Sequence, residues 1–174
     1  MPDLAPPLLR IRPEAPGDAA AIARVTELAF RDHPHSSHTE QHIVAALRRA
    51  GALSVSLVAV RDGQVLGHIA LSPVTFSDAS PGWYGLGPVS VLPPFQRQGI
   101  GSRLVQAGLD ALRALDAEGC VLLGEPDYYA RFGFRHRPDC VLEGVPAHLF
   151  QSLTFGARDA RGTVTYHPAF DAQA

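Results

Sequence analysis

The chain has 174 residues, 46% of them hydrophobic, with 15 basic against 17 acidic side chains and a formal net charge of −2 at neutral pH. That length and apolar share suit one domain spanning residues 1–174, with its core between about residue 8 and about residue 170. The near-balanced charge gives no electrostatic reason for nucleic acid as the main partner, and no stretch is apolar for long enough to cross a bilayer. The stretch from Met1 to Pro7 has neither the basic start nor the apolar run of a secretory signal, so a cytoplasmic location is expected. Cys120 and Cys140 are too few for a disulfide framework and are expected to be buried and reduced.

Leu8 to Arg12 alternates apolar and basic side chains, as a half-exposed edge strand does. Pro16 to Asp18 opens a helix whose inner face is Ala19, Ile22, Ala23, Leu28 and Ala29 and which closes at Phe30. After a loop from Arg31 to His38, Thr39 with Glu40 and Gln41 opens a second helix. It turns Ile43, Val44 and Leu47 inward, ends on the solvated Arg48-Arg49 and is stopped by Gly51. Ser54 to Arg61 and Gln64 to Phe76 read as two strands of a hairpin around Asp62-Gly63, a dipeptide suited to a tight turn. A third strand runs from about Trp83 to Val91. Pro93-Pro94 cannot continue it, and Ile100, Leu104, Gly108, Ala111, Leu112 and Leu115 then recur at helical spacing. Gly119 to Gly124 is the next buried strand, Pro126 to Phe132 a short helix, and Leu149 to Phe155 and Thr163 to Tyr166 late strands. This order lacks a regular β-α alternation, which predicts an α/β fold whose mixed sheet is not wholly parallel.

The chemistry concentrates in the run from Val89 to Ser102, where a buried strand turns through a basic loop into a helix. The first turn of a helix carries unpaired N–H groups and the positive end of the peptide dipole, so it takes a phosphate. Gly99 and Gly101 let the backbone turn sharply and approach that phosphate closely. A Walker loop needs Gly-Lys followed by Ser or Thr, which does not occur, and a dinucleotide fingerprint needs a third Gly where Leu104 stands. The plainer alternative is a strand–loop–helix connection in which the glycines only turn the chain.

Gln96-x-x-Gly99-x-Gly101, preceded by Val-x-Val-x-Pro, resembles the acetyl-coenzyme A loop of the GNAT superfamily of N-acetyltransferases. Downstream, Tyr129-x-x-x-Gly133-Phe134 resembles the superfamily's Tyr-x-x-x-Gly-Phe segment. Gly67 to Val74 and the double tyrosine are similar to a bacterial subgroup often described as YhbS-like. The resemblance covers most of the chain and implies a GNAT-like fold, with a mixed, mostly antiparallel sheet flanked by helices. It also implies acetyl transfer from acetyl-coenzyme A to a small-molecule or peptide amine within a ternary complex, with no metal. In that family the strand before the loop splays from its neighbour and binds the pantetheine arm, a role that falls here to Val89, Ser90 and Val91. The Val89 N–H would polarise the thioester carbonyl. The pyrophosphate would lie on Gln98, Gly99, Ile100, Gly101 and Ser102, with Gln96 and Arg97 beside it.

Tyr129 takes the position of the tyrosine next to the coenzyme sulfur, with Tyr128 as its packing companion about 100° around the helix. Packing alone is the alternative for both rings, and a ligand-free surface position the alternative for Arg97. The acceptor amine must lose a proton, and Glu40, His42, His68 and Glu125 are the candidates to take it. Glu40 is taken first; for His68 a hydrogen-bonded core histidine is the plainer assignment. His33, His35, His38 and His42 suggest a metal only weakly, since three lie in a loop with no cysteine beside them. Two alternatives to direct transfer stand: an acyl-enzyme on Cys120, and a catalytically silent module that senses acetyl-coenzyme A. Homodimers are common among proteins with this resemblance.

Overall fold

In the computed structural model, which describes residues 7–174, eight strands follow in chain order: β1 (Arg10–Pro13), β2 (Val55–Arg61), β3 (Gln64–Phe76), β4 (Trp83–Val91), β5 (Gly119–Leu123), β6 (Cys140–Val141), β7 (Phe150–Thr154) and β8 (Gly162–Tyr166). The helices are α1 (Ala19–Phe30), α2 (Glu40–Arg49), α3 (Ile100–Ala114) and the single turn α4 (Pro126–Tyr129). The sheet runs β1-β2-β3-β4-β5-β7, with β8 paired to the far end of β3 and to β6. Only β4 with β5 and β6 with β8 are parallel. The expected mixed, mostly antiparallel sheet is therefore present.

Period-two alternation along β2 and β3 divides the core between two faces. On one, α3 packs Leu104, Val105, Leu109 and Leu112 against Leu57, Ile69 and Leu71. Each such side chain removed from water contributes roughly 1.5–3 kcal/mol. On the other, α1 and α2 set Ile22, Val25 and Val44 against Val58 and Ala70. The β2–β3 turn has positive φ at both Asp62 (51°) and Gly63 (73°), as a two-residue hairpin matched to strand twist requires.

The central feature is a fork. β4 and β5 share only the pairs Trp83↔Gly119, Tyr84↔Cys120 and Gly85↔Val121. Beyond Gly85, β4 continues along β3 to Val91, while β5 stays with β7 through Leu122 and Leu123. The β3–β4 register slips there: Ile69 faces Val89 and Leu71 faces Leu86, so β4 takes an extra residue around Gly87-Pro88. A bulge of this kind bends its strand and increases the twist, which turns β4 away from β5.

Several local bounds differ from expectation. The first strand is Arg10–Pro13 rather than Leu8 to Arg12, because the chain stays on β2 as far as Glu14, whose N–H donates to Ser56 O at 2.9 Å, while Leu8 is 82% exposed. The helix at 126–132 divides into α4 and a 3-10 turn over Ala130–Phe132, ended by Gly133 at φ 96°. Of the late strands, the first is trimmed to Phe150–Thr154 and the second extended by one residue to Gly162–Tyr166. The two-residue β6 is too short for any periodicity to announce it.

Candidate active site

The fork leaves one edge of β4 open. Leu92 N–H donates to Leu66 O at 2.8 Å, so Ser90, two residues earlier, also turns its N–H toward β3. Val89 and Val91 turn theirs to the opposite edge, which β5 has left. One acceptor there is used locally: Gln96 Nε2 donates to Val91 O at 3.0 Å and ties the loop to the strand end.

The loop ends on two residues with positive φ, Arg97 (62°) and Gly99 (83°), and α3 starts immediately after them. The Arg103 N–H is the first to be taken, by Gly99 O at 3.1 Å. The amides of Ile100, Gly101 and Ser102 have no acceptor among the described residues, and no side chain caps Gly99. Their donors and the dipole of a 15-residue helix face the open edge, a combination that favours a bound anion. Gln96, Arg97 and Gln98 are exposed, and Gln98 Nε2 reaches back to Pro94 O at 3.4 Å. Arg97 has no ion-pair partner among the described residues.

Both tyrosines border this region from α4. The Tyr129 ring lies on Gly124, just past the end of β5, where a Cβ would come within 2.5 Å of Tyr129 Cε2. It packs edge-on to Tyr128 at 4.9 Å and to Phe134 at 6.0 Å, and its hydroxyl makes no hydrogen bond among the described residues. Burial pushes the phenol up to about 12, with Tyr128 and Cys120 acting in the same direction, so the group keeps its proton at any physiological pH. Tyr128 does more than pack. Its hydroxyl lies 3.1 Å from Ser102 Oγ, and a Cβ on Gly101 would sit 3.4 Å from it and 3.8 Å from Val91 Cγ2. Arg131 stacks over its ring at 4.4 Å and donates from Nε to Tyr128 O at 2.9 Å. The strand end, the first turn of α3 and Tyr128 thus meet at one place, with Tyr129 against Tyr128. Sequence reasoning assigned Tyr128 to packing only, although the 100° offset between neighbouring helical residues was a sign that it faces elsewhere.

The side chains of the proton-accepting candidates make no hydrogen bond to these residues among the described residues, although Glu125 O accepts from Tyr129 N–H at 3.1 Å and His68 stands opposite Ser90 across the β3–β4 pair. Glu40 opens α2; Ser36 Oγ donates to its Oε1 at 2.5 Å, while Oε2 is buried with no partner among the described residues. His42 touches only Gln41, at 3.4 Å, among side-chain polar groups, and Glu125 is exposed. His68 is fully buried on β3, with Nε2 2.8 Å from Ser56 Oγ and Nδ1 unpartnered. Burial holds it down at about 4; Glu14 opposes that shift and Arg48 adds to it. His33, His35 and His38 are exposed, and no group of three His, Cys, Asp or Glu side chains among the described residues is placed to hold a metal ion. Cys120 and Cys140 are free and buried, and burial drives the Cys120 thiol far above its ordinary range.

Residues 22–134 match the family described as acetyltransferase (GNAT) family. The chain belongs to this family. It is 38% identical over 168 residues to the uncharacterized N-acetyltransferase YhbS of Escherichia coli K12, covering 92% of this chain and 98% of that protein. Among solved structures, a GNAT acetyltransferase from Brucella melitensis in complex with acetyl-CoA is 53% identical with a TM-score of 0.85, over 94% of this chain and 99% of that one. Escherichia coli YhbS in complex with CoA gives 32% identity and a TM-score of 0.84, over 100% and 97% of the two chains. The GNAT fold places the open β4 edge and the α3 start side by side in this chain. No helix among the described residues is long and apolar enough to cross a membrane.

Proposed function

We propose that this protein is an acetyl-coenzyme A-dependent N-acetyltransferase that passes acetyl directly to a primary amine in a ternary complex. The observation that carries the proposal is the open edge of β4 beside the uncapped first turn of α3. A pantetheine arm is an extended chain with amide donors and acceptors, and an open strand edge binds such a chain as a further strand would. The free amides of Ile100, Gly101 and Ser102, with Arg97, suit its pyrophosphate. Acetyl-coenzyme A supplies the acetyl group as a thioester. The complexes of the Brucella and Escherichia coli relatives with acetyl-CoA and CoA support this assignment.

In this reading the Val89 N–H points into the fork and stabilises negative charge that grows on the carbonyl oxygen during attack. Tyr129 holds its proton and presents it to the departing sulfur. Glu40, with one buried carboxylate oxygen free, is the first candidate to draw a proton from the acceptor amine. Direct transfer is preferred to an acyl-enzyme because the Cys120 thiol is fully buried and held protonated. A free-thiol release assay over a panel of amines tests the proposal, with Cys120→Ala run alongside. Turnover retained in that variant supports direct transfer. An inactive, well-folded Cys120→Ala would indicate an acyl-enzyme, and tight coenzyme binding with no amine acetylated would make the protein a sensor.

A further inference from the structure

Polar side chains cross an otherwise apolar core in one row. Ser90, between Val89 and Val91 on the open strand, is 1% exposed, and its Oγ has no partner among the described residues. Its cross-strand neighbour on β3 is His68, so the two side chains share a face. His68 Nδ1 is unpartnered, and Nε2 is 2.8 Å from Ser56 Oγ on β2. Ser56 is half-buried, and its carbonyl accepts from Glu14 N–H, next to the Glu14–Arg48 ion pair. On the same face of β3, Ser72 Oγ is also buried without a partner. Buried polar atoms are costly unless hydrogen-bonded, and three unpartnered ones on one face, under α1 and α2, call for a polar partner there.

We propose that His68 relays the proton shed by the attacking amine, taking it on the Ser90 side and releasing one through Ser56 to the exterior. This rests on the acetyltransferase reading above and puts His68 in place of Glu40 as the group that takes the amine's proton. The acceptor nitrogen gives up a proton, by way of Ser90 Oγ or a bridging water, to Nδ1, and its freed lone pair forms the C–N bond. The electron pair of the broken C–S bond stays on sulfur, which takes a proton from Tyr129 or solvent, and the second proton that nitrogen sheds as the amide forms restores that donor. Nε2 passes its proton to Ser56 and on to bulk water. Between turnovers, with the site open to solvent, exchange restores the starting tautomer. The charged groups acting on His68 are Glu14 and Arg48, while α1 faces this region with Ile22, Val25 and Thr26. Held down at about 4, the imidazole is neutral at physiological pH, so one ring nitrogen is free to accept a proton while the other donates.

The test is His68→Gln, which keeps similar volume and an N–H for Ser56 but cannot relay. Turnover at neutral pH should fall roughly 10- to 100-fold with an unchanged KM for acetyl-coenzyme A, and the deficit should shrink as pH nears about 10, where the amine arrives deprotonated. Ser56→Ala should give the same pH-dependent deficit with His68 in place, which covers the case in which the first variant folds poorly. Wild-type turnover in both variants, or a loss that does not change with pH, overturns the relay. A second readout needs no activity: in 15N-histidine-labelled wild type, the buried His68 N–H should exchange with water much faster than global unfolding allows. Protection as strong as that of the core amides would refute the proposal. If wild type acetylates no amine, the functional assignment fails, while the exchange measurement still decides the relay.

Discussion

Replacing Tyr129 by Phe removes one oxygen and little else. The ring keeps its contacts with Gly124, Tyr128 and Phe134, and the hydroxyl makes no hydrogen bond among the described residues, so folding stability should change by less than about 0.5 kcal/mol. The catalytic effect follows from proton affinities. A phenol raised to about 12 faces a leaving thiolate whose reference value is about 8.5, so complete transfer is uphill by about 5 kcal/mol. In the proposed mechanism Tyr129 would therefore act chiefly by hydrogen-bonding to the sulfur as charge collects there. A charge-assisted hydrogen bond contributes about 1.5–3 kcal/mol, which corresponds to a fall in kcat of roughly 10- to 150-fold. Steady-state thiol release at saturating acetyl-coenzyme A measures kcat, and titration calorimetry measures coenzyme affinity, which should stay within about twofold. A kcat within twofold of wild type would reduce Tyr129 to packing. A loss confined to coenzyme affinity would place its hydroxyl on the wrong part of the ligand.

Gly101→Val should weaken coenzyme binding at least tenfold by calorimetry, because its Cβ alone would already lie 3.4 Å from Tyr128 Oη and the branched side chain would crowd the anion site; unaltered affinity would move the pyrophosphate elsewhere. Tyr128→Phe cuts the link to Ser102 Oγ and should raise the coenzyme Kd several-fold while leaving saturated kcat nearly intact. Acid should destabilise the fold through His68. Its folded value of about 4 lies below the unfolded 6.5, so its contribution of about 3 kcal/mol is complete above pH 6.5 and is lost as pH falls through about 4. His68→Gln should flatten that part of the denaturation profile. Tyr129 gives the opposite slope, its contribution being complete below pH 10 and lost as pH rises toward 12.

The strand Trp83–Val91 and the helix after it were legible because their signals are local: apolar alternation, a Pro-Pro stop and glycines at a helix start. The Asp62-Gly63 hairpin was legible for the same reason. The fork was reached only through resemblance, since it depends on where β5, some 30 residues downstream in the chain, stops pairing with β4. The unpartnered Nδ1 of His68 follows from three strands and two helices closing over it, and no spacing along β3 encodes that burial. The division of the segment after Pro126 into an α turn and a 3-10 turn was likewise hidden, because Tyr129 sits where Gly124 leaves room for its ring, a tertiary fit rather than a propensity.

Mechanically, the three residue pairs between β4 and β5 form a short hinge between two plates of sheet, one running from β1 to β4 and the other made of β5 and β7. A ligand laid along the open edge ties the plates together as a missing strand would. Its binding free energy then counts as stiffness: at 100 times Kd it adds about 2.7 kcal/mol to the unfolding free energy. The amides of Val89 and Val91 should exchange rapidly in the free protein and slow sharply when coenzyme is bound. In the proposed reaction the acceptor would then meet an assembled surface only after the donor has completed the sheet, which predicts an ordered reaction with acetyl-coenzyme A entering first.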